Sequence, residues 1–161
     1  MLEDGSVYEG TARGDFKETA CEIVFNTSMT GYVEILTDPS YAGQGVVMTY
    51  PMIGNYGISR EDFESERLQP SAFIVHELSS DPSNFRCTDT IENLLKEYNI
   101  PCISGVDTRA VVKKLRESGT MRGVLTSDIG DRERLMDVIK SFRQIDLVGS
   151  GTAKQTKEYG E

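Results

Sequence analysis

Several features that would mark a secreted, membrane-bound or disulfide-bonded protein are missing from this sequence of 161 residues. No apolar run approaches the roughly 20 residues that a membrane-spanning helix requires. The amino terminus, MLEDGSVYEG, is acidic and strand-like, unlike a signal peptide. The three cysteines, Cys21, Cys87 and Cys102, form no C-x-x-C pair, which favours reduced thiols in the core. We therefore expect a cytoplasmic domain without a disulfide framework.

Groups for catalysis are also scarce. The one histidine, His76, has no second His or Cys nearby to complete a metal site, so we expect a hydrogen-bonded packing residue. Nucleophile elbows of the G-x-S-x-G or G-x-C-x-G kind are absent. Gly43-Gln44-Gly45 begins like a dinucleotide loop, but Met48 and a strand-like run follow it instead of a helix. The sequence argues against an independent hydrolase.

Positive charge is in short supply as well. The formal net charge is -9, with 26 acidic against 17 basic residues, so a nucleic-acid backbone would be repelled over most of the surface. The segment SREDFESER, residues 59–67, alternates charges without apolar periodicity, which is typical of a solvated loop and not of a catalytic carboxylate pair.

The pattern of apolar residues changes between the two halves of the chain. The first half predicts strands and turns, because Val, Ile, Tyr, Phe and Thr cluster between Gly, Asp and Pro. We expect strands in SVYEGTARG (6–14), ACEIVFNTS (20–28), YVEILTD (32–38) and GVVMTYPM (45–52), followed by a buried strand in SAFIVHEL (71–78).

The second half alternates helices with short apolar segments. Helical periodicity covers residues 89–99, 107–118 and 131–142, and each stretch opens on an aspartate suited to capping. The apolar segments IPCISGV (100–106) and MRGVLTS (121–127) lie between them, which suggests parallel βαβ connections. A β-rich half joined to a βα half predicts a layered α/β or α+β domain.

Three basic residues are concentrated on one predicted helix. Arg109, Lys113 and Arg116 follow i, i+4, i+7 spacing, so at about 100° per residue they share one stripe. The packing face of that helix carries Val111, Val112 and Leu115. A solvated helix face is the default interpretation, and docking to an acidic partner or anion is the sharper one.

The stretch ILTDPSYAG places Ser40 directly after a proline in a turn. Its hydroxyl could be a nucleophile, could close its own turn, or could contact a ligand. A nucleophile needs a base and oxyanion donors, which the chain does not supply. Turn closure is ordinary chemistry for Asp38-Pro39-Ser40, so this alternative stays open beside the ligand contact.

A long stretch, FNTSMTGYVEILTDPSYAGQGVVMTYPMIGNYG (25–57), closely resembles the small subunit of glutamine-hydrolysing carbamoyl phosphate synthetases. The resemblance extends from LEDGSVYEG near the start through residues 83–125, is firm to about Asp128, and continues more loosely to the end. It implies the amino-terminal domain of that subunit over residues 1–148, a three-layer β/β/α domain of the swivelling type. Residues 149–161 would be a linker toward an absent glutamine amidotransferase domain.

In that family the amidotransferase domain supplies a Cys-His-Glu triad and sends ammonia from glutamine to the large synthetase subunit. The resemblance therefore implies two protein partners, with ATP and a divalent metal on the large subunit and no cofactor in this chain. None of the three cysteines lies in the family's nucleophile elbow, so we expect a non-catalytic part of the enzyme. The product would serve arginine or pyrimidine synthesis.

The resemblance also gives Ser40 a role. The serine of the family's D-P-S-Y turn reaches across the domain boundary to L-glutamine, and Ser40 occupies that position here. The leading hypothesis is an accessory and docking domain that helps shape the glutamine site. Its rival is a pure protein interaction module that never contacts glutamine.

Overall fold

The fold is described from a computed structural model for residues 1–80 and 89–142. The strands are β1 (Thr11–Gly14), β2 (Thr19–Asn26), β3 (Gln44–Met48), β4 (Met52–Ile53), β5 (Ala72–Ile74), β6 (Glu77–Leu78), β7 (Pro101–Ser104) and β8 (Met121–Leu125). The helices are α1 (Tyr32–Thr37), α2 (Ile91–Glu97), α3 (Thr108–Ser118) and α4 (Arg132–Ser141), with 3-10 helices at Pro39–Tyr41 and Arg60–Asp62.

A six-stranded sheet in the order β1-β7-β5-β3-β2-β8 forms the centre of the domain. Its four inner strands are parallel to one another, and each edge strand pairs antiparallel with the inner strand beside it. Strands β4 and β6 form a separate, parallel pair. The mainly parallel sheet with helices packed on it confirms the predicted α/β fold class and its three layers.

Each inner strand contributes to two cores because successive side chains point to opposite faces of a sheet. Val46 and Phe73 pack with α1 and α2 on one face. Their neighbours Val47 and Ile74 pack with α3 on the other face. Burying such a side chain contributes roughly 1.5–3 kcal/mol, so α3 is held in place chiefly by its apolar stripe.

The strand predicted in YVEILTD is wrong, because Tyr32–Thr37 form helix α1. Five of its six residues are buried. The segment therefore lacks both the alternation of apolar and polar residues of a half-exposed strand and the single apolar stripe of an amphipathic helix. The helix follows Gly31, whose φ of 80° lies in the left-handed region that glycine tolerates. Tyr32 stacks on Tyr56 at 4.3 Å between ring centroids and donates a hydrogen bond to the Gly57 carbonyl (2.7 Å).

The three helices predicted in the second half are all present, with one difference in capping. Asp107 and Asp131 accept hydrogen bonds from the backbone N–H groups of Ala110 (3.0 Å) and Arg134 (2.9 Å). Helix α2 is instead capped by the hydroxyl of Thr90, which accepts from the Asn93 N–H at 3.2 Å. The capping aspartate predicted for that helix is therefore wrong by one residue.

The predicted parallel connections hold for only one of the two later strands. Strand β7 lies parallel to β5, as expected for a βαβ unit. Strand β8 lies at the far edge and pairs antiparallel with β2. Helix α3, which connects β7 to β8 in the chain, therefore crosses one face of the sheet. It packs against β2 and β3 on the way.

Two predictions concern residues that are not described, namely the thiol of Cys87 and the linker at residues 149–161. Within 1–80 and 89–142, no helix is both long enough and apolar enough to cross a bilayer. The charged segment 59–67 contains a short 3-10 helix, and most of its residues are exposed, as expected for a solvated loop.

Candidate functional site

Ser40 lies in the 3-10 helix Pro39–Tyr41, and its side chain is exposed. The turn is closed by Asp38, whose carboxylate accepts a hydrogen bond from the Ser40 backbone N–H at 2.8 Å. Pro39 supports the geometry because its ring presets φ for the first position. No hydrogen bond of the Ser40 hydroxyl is found among the described residues, so its side chain is not what closes the turn.

The residue after Ser40 anchors this turn to the sheet. The Tyr41 hydroxyl accepts a hydrogen bond from the side-chain amide of Asn26 at 2.9 Å, and Asn26 is the last residue of β2. The Tyr41 ring packs against the core face that carries α1 and α2. Ser40 thus lies between a capping carboxylate and an anchored ring, and its side chain is exposed.

The single histidine bonds to the backbone away from the Ser40 turn. A ring nitrogen of His76, Nδ1, lies 3.1 Å from the carbonyl oxygen of Val106, which confirms the expected hydrogen bond. The ring is exposed and not packed in the core, because His76 follows the buried strand β5 at its carboxyl end. Within the described residues, no group of three His, Cys, Asp or Glu side chains could hold a metal ion.

The two described cysteines are core residues. Cys21 packs on the face of the sheet that α3 covers, and Cys102 packs on the opposite face. Burial raises the pKa of each thiol to about 12. The thiolate is the reactive form of cysteine, so neither side chain is poised as a nucleophile near neutral pH.

The predicted basic stripe is exposed on α3 and lines a cleft of about 370 Å³. The cleft lies where β2 and β3 end, since Thr27 and Thr49 follow those strands and line it too. We call this the basic cleft; its lining residues are Thr27, Thr49, Arg109, Val112, Lys113, Arg116 and Glu117. The structure therefore brings all three predicted cations to one recess.

Half of the other basic residues in the described part of the chain form an ion pair with a carboxylate, whereas these three cations do not. Arg109, Lys113 and Arg116 form no ion pair with any described residue. Arg116 instead places its guanidinium 5.5 Å from the centre of the Phe25 ring. The ion pairs elsewhere are Arg60–Glu97, Lys96–Glu92, Lys114–Asp4, Arg122–Glu3 and Arg134–Glu18.

No sequence motif marks Thr27 and Thr49 as site residues. They are 22 residues apart, and only the parallel register of β2 and β3 brings them together, with Phe25 opposite Val47. Alternation along each strand was the signal available, because residues two positions apart point to the same face of a sheet. Thr27 follows Phe25 by two positions, and Thr49 follows Val47 by two positions.

A somewhat larger cavity, about 410 Å³, lies on the same side of the sheet, beneath the amino-terminal segment. Its lining is mainly core side chains such as Leu2, Val47 and Ile74, and among the described residues Glu9 contributes the only charged side chain. Binding sites for polar ligands need several convergent polar groups. The Ser40 turn and the basic cleft are therefore the stronger candidates.

Fold and surface together define a layered α/β domain with two candidate sites, the Ser40 turn and the basic cleft. At both sites, polar side-chain groups have no partner among the described residues. The family model described as "Carbamoyl-phosphate synthase small chain, CPSase domain" matches residues 1–125. The chain belongs to this family, which confirms the resemblance found through the D-P-S-Y turn and its flanking sequence.

Curated relatives agree with this assignment. The chain is 47% identical over 155 residues to the carbamoyl phosphate synthase small chain of Caldanaerobacter subterraneus subsp. tengcongensis, covering 93% of this chain and 44% of that protein. It is 48% identical to the small chain of Archaeoglobus fulgidus (98% and 45% covered) and 54% identical to that of Fusobacterium nucleatum (79% and 36% covered). The chain thus spans less than half the length of these relatives.

Proposed function

We propose that this chain is the amino-terminal accessory and docking domain of a glutaminase small subunit of carbamoyl phosphate synthetase. In this proposal the rest of the subunit, a glutamine amidotransferase domain, releases ammonia from glutamine. The large subunit then uses ammonia, bicarbonate and ATP, with its own divalent metal, to make carbamoyl phosphate in the cytoplasm. Family membership and the two surface features described above support the proposal.

The observation that carries it is the exposed Ser40 hydroxyl. Because the Asp38 carboxylate closes the turn, the hydroxyl is available to an external group. It would hydrogen-bond the charged amino-acid end of glutamine at the boundary with the amidotransferase domain. Its task is binding, since no base lies within hydrogen-bonding reach of it among the described residues.

The docking half of the proposal rests on the basic cleft. On a chain with a net charge of -9, the side chains of Arg109, Lys113 and Arg116 form a local cationic surface without carboxylate partners in the described part of the chain. Such a surface favours association with an acidic one and speeds the encounter. The proposed partner at this surface is the large subunit, and nucleic acid is disfavoured by the overall charge.

Replacing Ser40 by alanine in the full small subunit, assembled with the large subunit, tests the glutamine contact. A hydrogen bond to a charged group is worth about 1.5–3 kcal/mol, so the KM for glutamine should rise about ten- to a hundredfold with kcat little changed. Synthesis from free ammonia should be unaffected because ammonia bypasses the glutamine site. Steady-state kinetics with both nitrogen donors measure the difference.

Ser28 offers a matched control, because its backbone N–H also bonds to a side-chain oxygen two residues earlier, Asn26 Oδ1 at 2.7 Å, and its side chain is exposed. Ser28→Ala should leave glutamine kinetics unchanged. Parental kinetics for Ser40→Ala would instead support the rival, a pure protein interaction module. Equal losses with glutamine and with ammonia would indicate damage to assembly and would also contradict a direct glutamine contact.

A further inference from the structure

We propose that the basic cleft is a socket that receives carboxylate side chains from an acidic segment of the large subunit. This inference rests on the proposed docking function and specifies its chemistry. Cations that attract a partner only at long range do not need hydrogen-bond donors beside them. A socket, in contrast, needs hydrogen-bond donors in its lining and a charged side chain held in position, and the basic cleft has both.

The donors are the hydroxyls of Thr27 and Thr49. The backbone N–H of Thr49 donates to the Asn26 carbonyl at 3.1 Å, so the pairing of β2 with β3 continues to the point where these threonines lie side by side. Thr27 is exposed and Thr49 is half-buried. Neither hydroxyl makes a hydrogen bond to another described residue, although both line the basic cleft.

Two cations of the cleft have positions that call for an explanation. Arg109 lies in the first turn of α3, where the helix dipole disfavours positive charge. It forms no ion pair with a described residue, although the Asp107 carboxylate caps the same helix two residues earlier. Arg116 is restrained differently, because its guanidinium lies over the Phe25 ring at 5.5 Å. A bound anion would account for both placements.

Size and charge favour carboxylate side chains as the occupant. A volume of about 370 Å³ lies at the lower end of the range for small-ligand sites, which is enough for side chains to enter. Guanidinium groups bind carboxylates through paired, parallel hydrogen bonds. Glu117 also lines the cleft, but three cations face this one carboxylate, so the cleft attracts an incoming anion.

The double variant Thr27→Val/Thr49→Val tests the socket because it removes two hydroxyls, keeps side-chain shape and leaves every charge in place. In the full small subunit, binding to the large subunit should show a dissociation rate raised about tenfold with an unchanged association rate. Reversing Arg109, Lys113 and Arg116 to Glu should lower the association rate as well, most strongly at low salt. Surface plasmon resonance at two salt concentrations gives both rates.

Two further variants control the experiment. Thr27→Ser/Thr49→Ser keeps the hydroxyls and should restore parental rates, which a loss of folding or packing would not allow. Thr30→Val removes an exposed hydroxyl from the loop after β2, outside the cleft lining, and should change nothing.

The outcomes separate this inference from the function on which it rests. A parental subunit that does not bind the large subunit overturns the docking function and the socket together. Parental binding that is insensitive to Thr27→Val/Thr49→Val overturns the socket alone, and the cations then act by long-range attraction only.

Discussion

Positive side chains on two faces of helix α3 differ in whether they form an ion pair with a described carboxylate. Lys114 forms an ion pair with Asp4 at 2.9 Å, which links the helix to the amino-terminal segment. Its neighbour Lys113, with Arg109 and Arg116, faces the basic cleft and has no carboxylate partner in the described residues. The two groups share one helix and one solvent, so the difference lies in what surrounds them.

The same division extends over the domain. Glu3 and Glu18 pair with Arg122 and Arg134, joining the amino-terminal third of the chain to β8 and α4. The Ser40 hydroxyl and the basic cleft lack such partners within the described part of the chain. Paired groups stabilise the fold modestly, whereas groups left without partners are available to ligands. This comparison predicts that stability and binding respond to different residues.

The largest effect is expected where paired polar groups are half-buried. The Tyr56 hydroxyl accepts hydrogen bonds from the backbone N–H groups of Gly31 (2.6 Å) and Tyr32 (3.4 Å) at the start of α1. Tyr56→Phe leaves these donors without an acceptor, so the free energy of unfolding should fall by about 1–2 kcal/mol. Urea denaturation measures it.

Tyr50 supplies the matched control, since its side chain is exposed and follows β3 at the surface. Tyr50→Phe should change the free energy of unfolding by less than about 0.5 kcal/mol. If both substitutions have the same small effect, the hydroxyl of Tyr56 does not hold the start of α1, and the contrast between paired and exposed polar groups fails there.

An intermediate effect is expected for Glu18. Both terminal nitrogens of the Arg134 guanidinium donate to its carboxylate (2.8 and 2.9 Å), and the Thr126 hydroxyl donates at 2.9 Å. These hydrogen bonds lower the pKa of Glu18 to about 2. Because the pair is largely exposed, Glu18→Gln should cost only about 0.5–1 kcal/mol near neutral pH.

The pH dependence of that cost has a definite sign. The folded pKa lies below the ordinary value of about 4.3, so the stabilisation is present above pH of about 4.3 and is lost as pH falls toward 2. The difference between the parent and Glu18→Gln should therefore shrink through this window. A difference that stayed constant to pH 2 would contradict the ion pair. Glu61→Gln, at an exposed residue of the Arg60–Asp62 helix, is the control.

Sequence patterns predicted the elements whose cause is local. The caps Asp107 and Asp131 and the stripe on α3 depend on neighbours within one or two helical turns, so single segments encode them. Helix α1 was missed because its burial comes from the surrounding tertiary structure and erases any periodicity. The direction of β8 was missed because an apolar segment fits a parallel or an antiparallel edge equally well.

The candidate site divides in the same way. The spacing of Arg109, Lys113 and Arg116 predicted one stripe, and the resemblance predicted Ser40. The residues that surround these side chains come from distant parts of the sequence. Asn26 anchors the Ser40 turn through Tyr41, and Thr27 and Thr49 line the cleft beside the cations. Sheet register creates these neighbours, and no local pattern reports it.

The smallest effect, and the most direct test of the comparison, comes from two substitutions on α3. Arg, Lys and Gln have similar helix propensities, so Lys114→Gln and Arg109→Gln change charge with little effect on the helix itself. Lys114→Gln removes the ion pair with Asp4 and should lower the urea midpoint slightly, less so at high salt. Arg109→Gln removes a cation from the first turn and should raise the free energy of unfolding by about 0.3 kcal/mol. Opposite signs on adjacent faces of one helix would separate a charge that stabilises the fold from one kept for binding, and equal losses would show that Arg109 has a structural role.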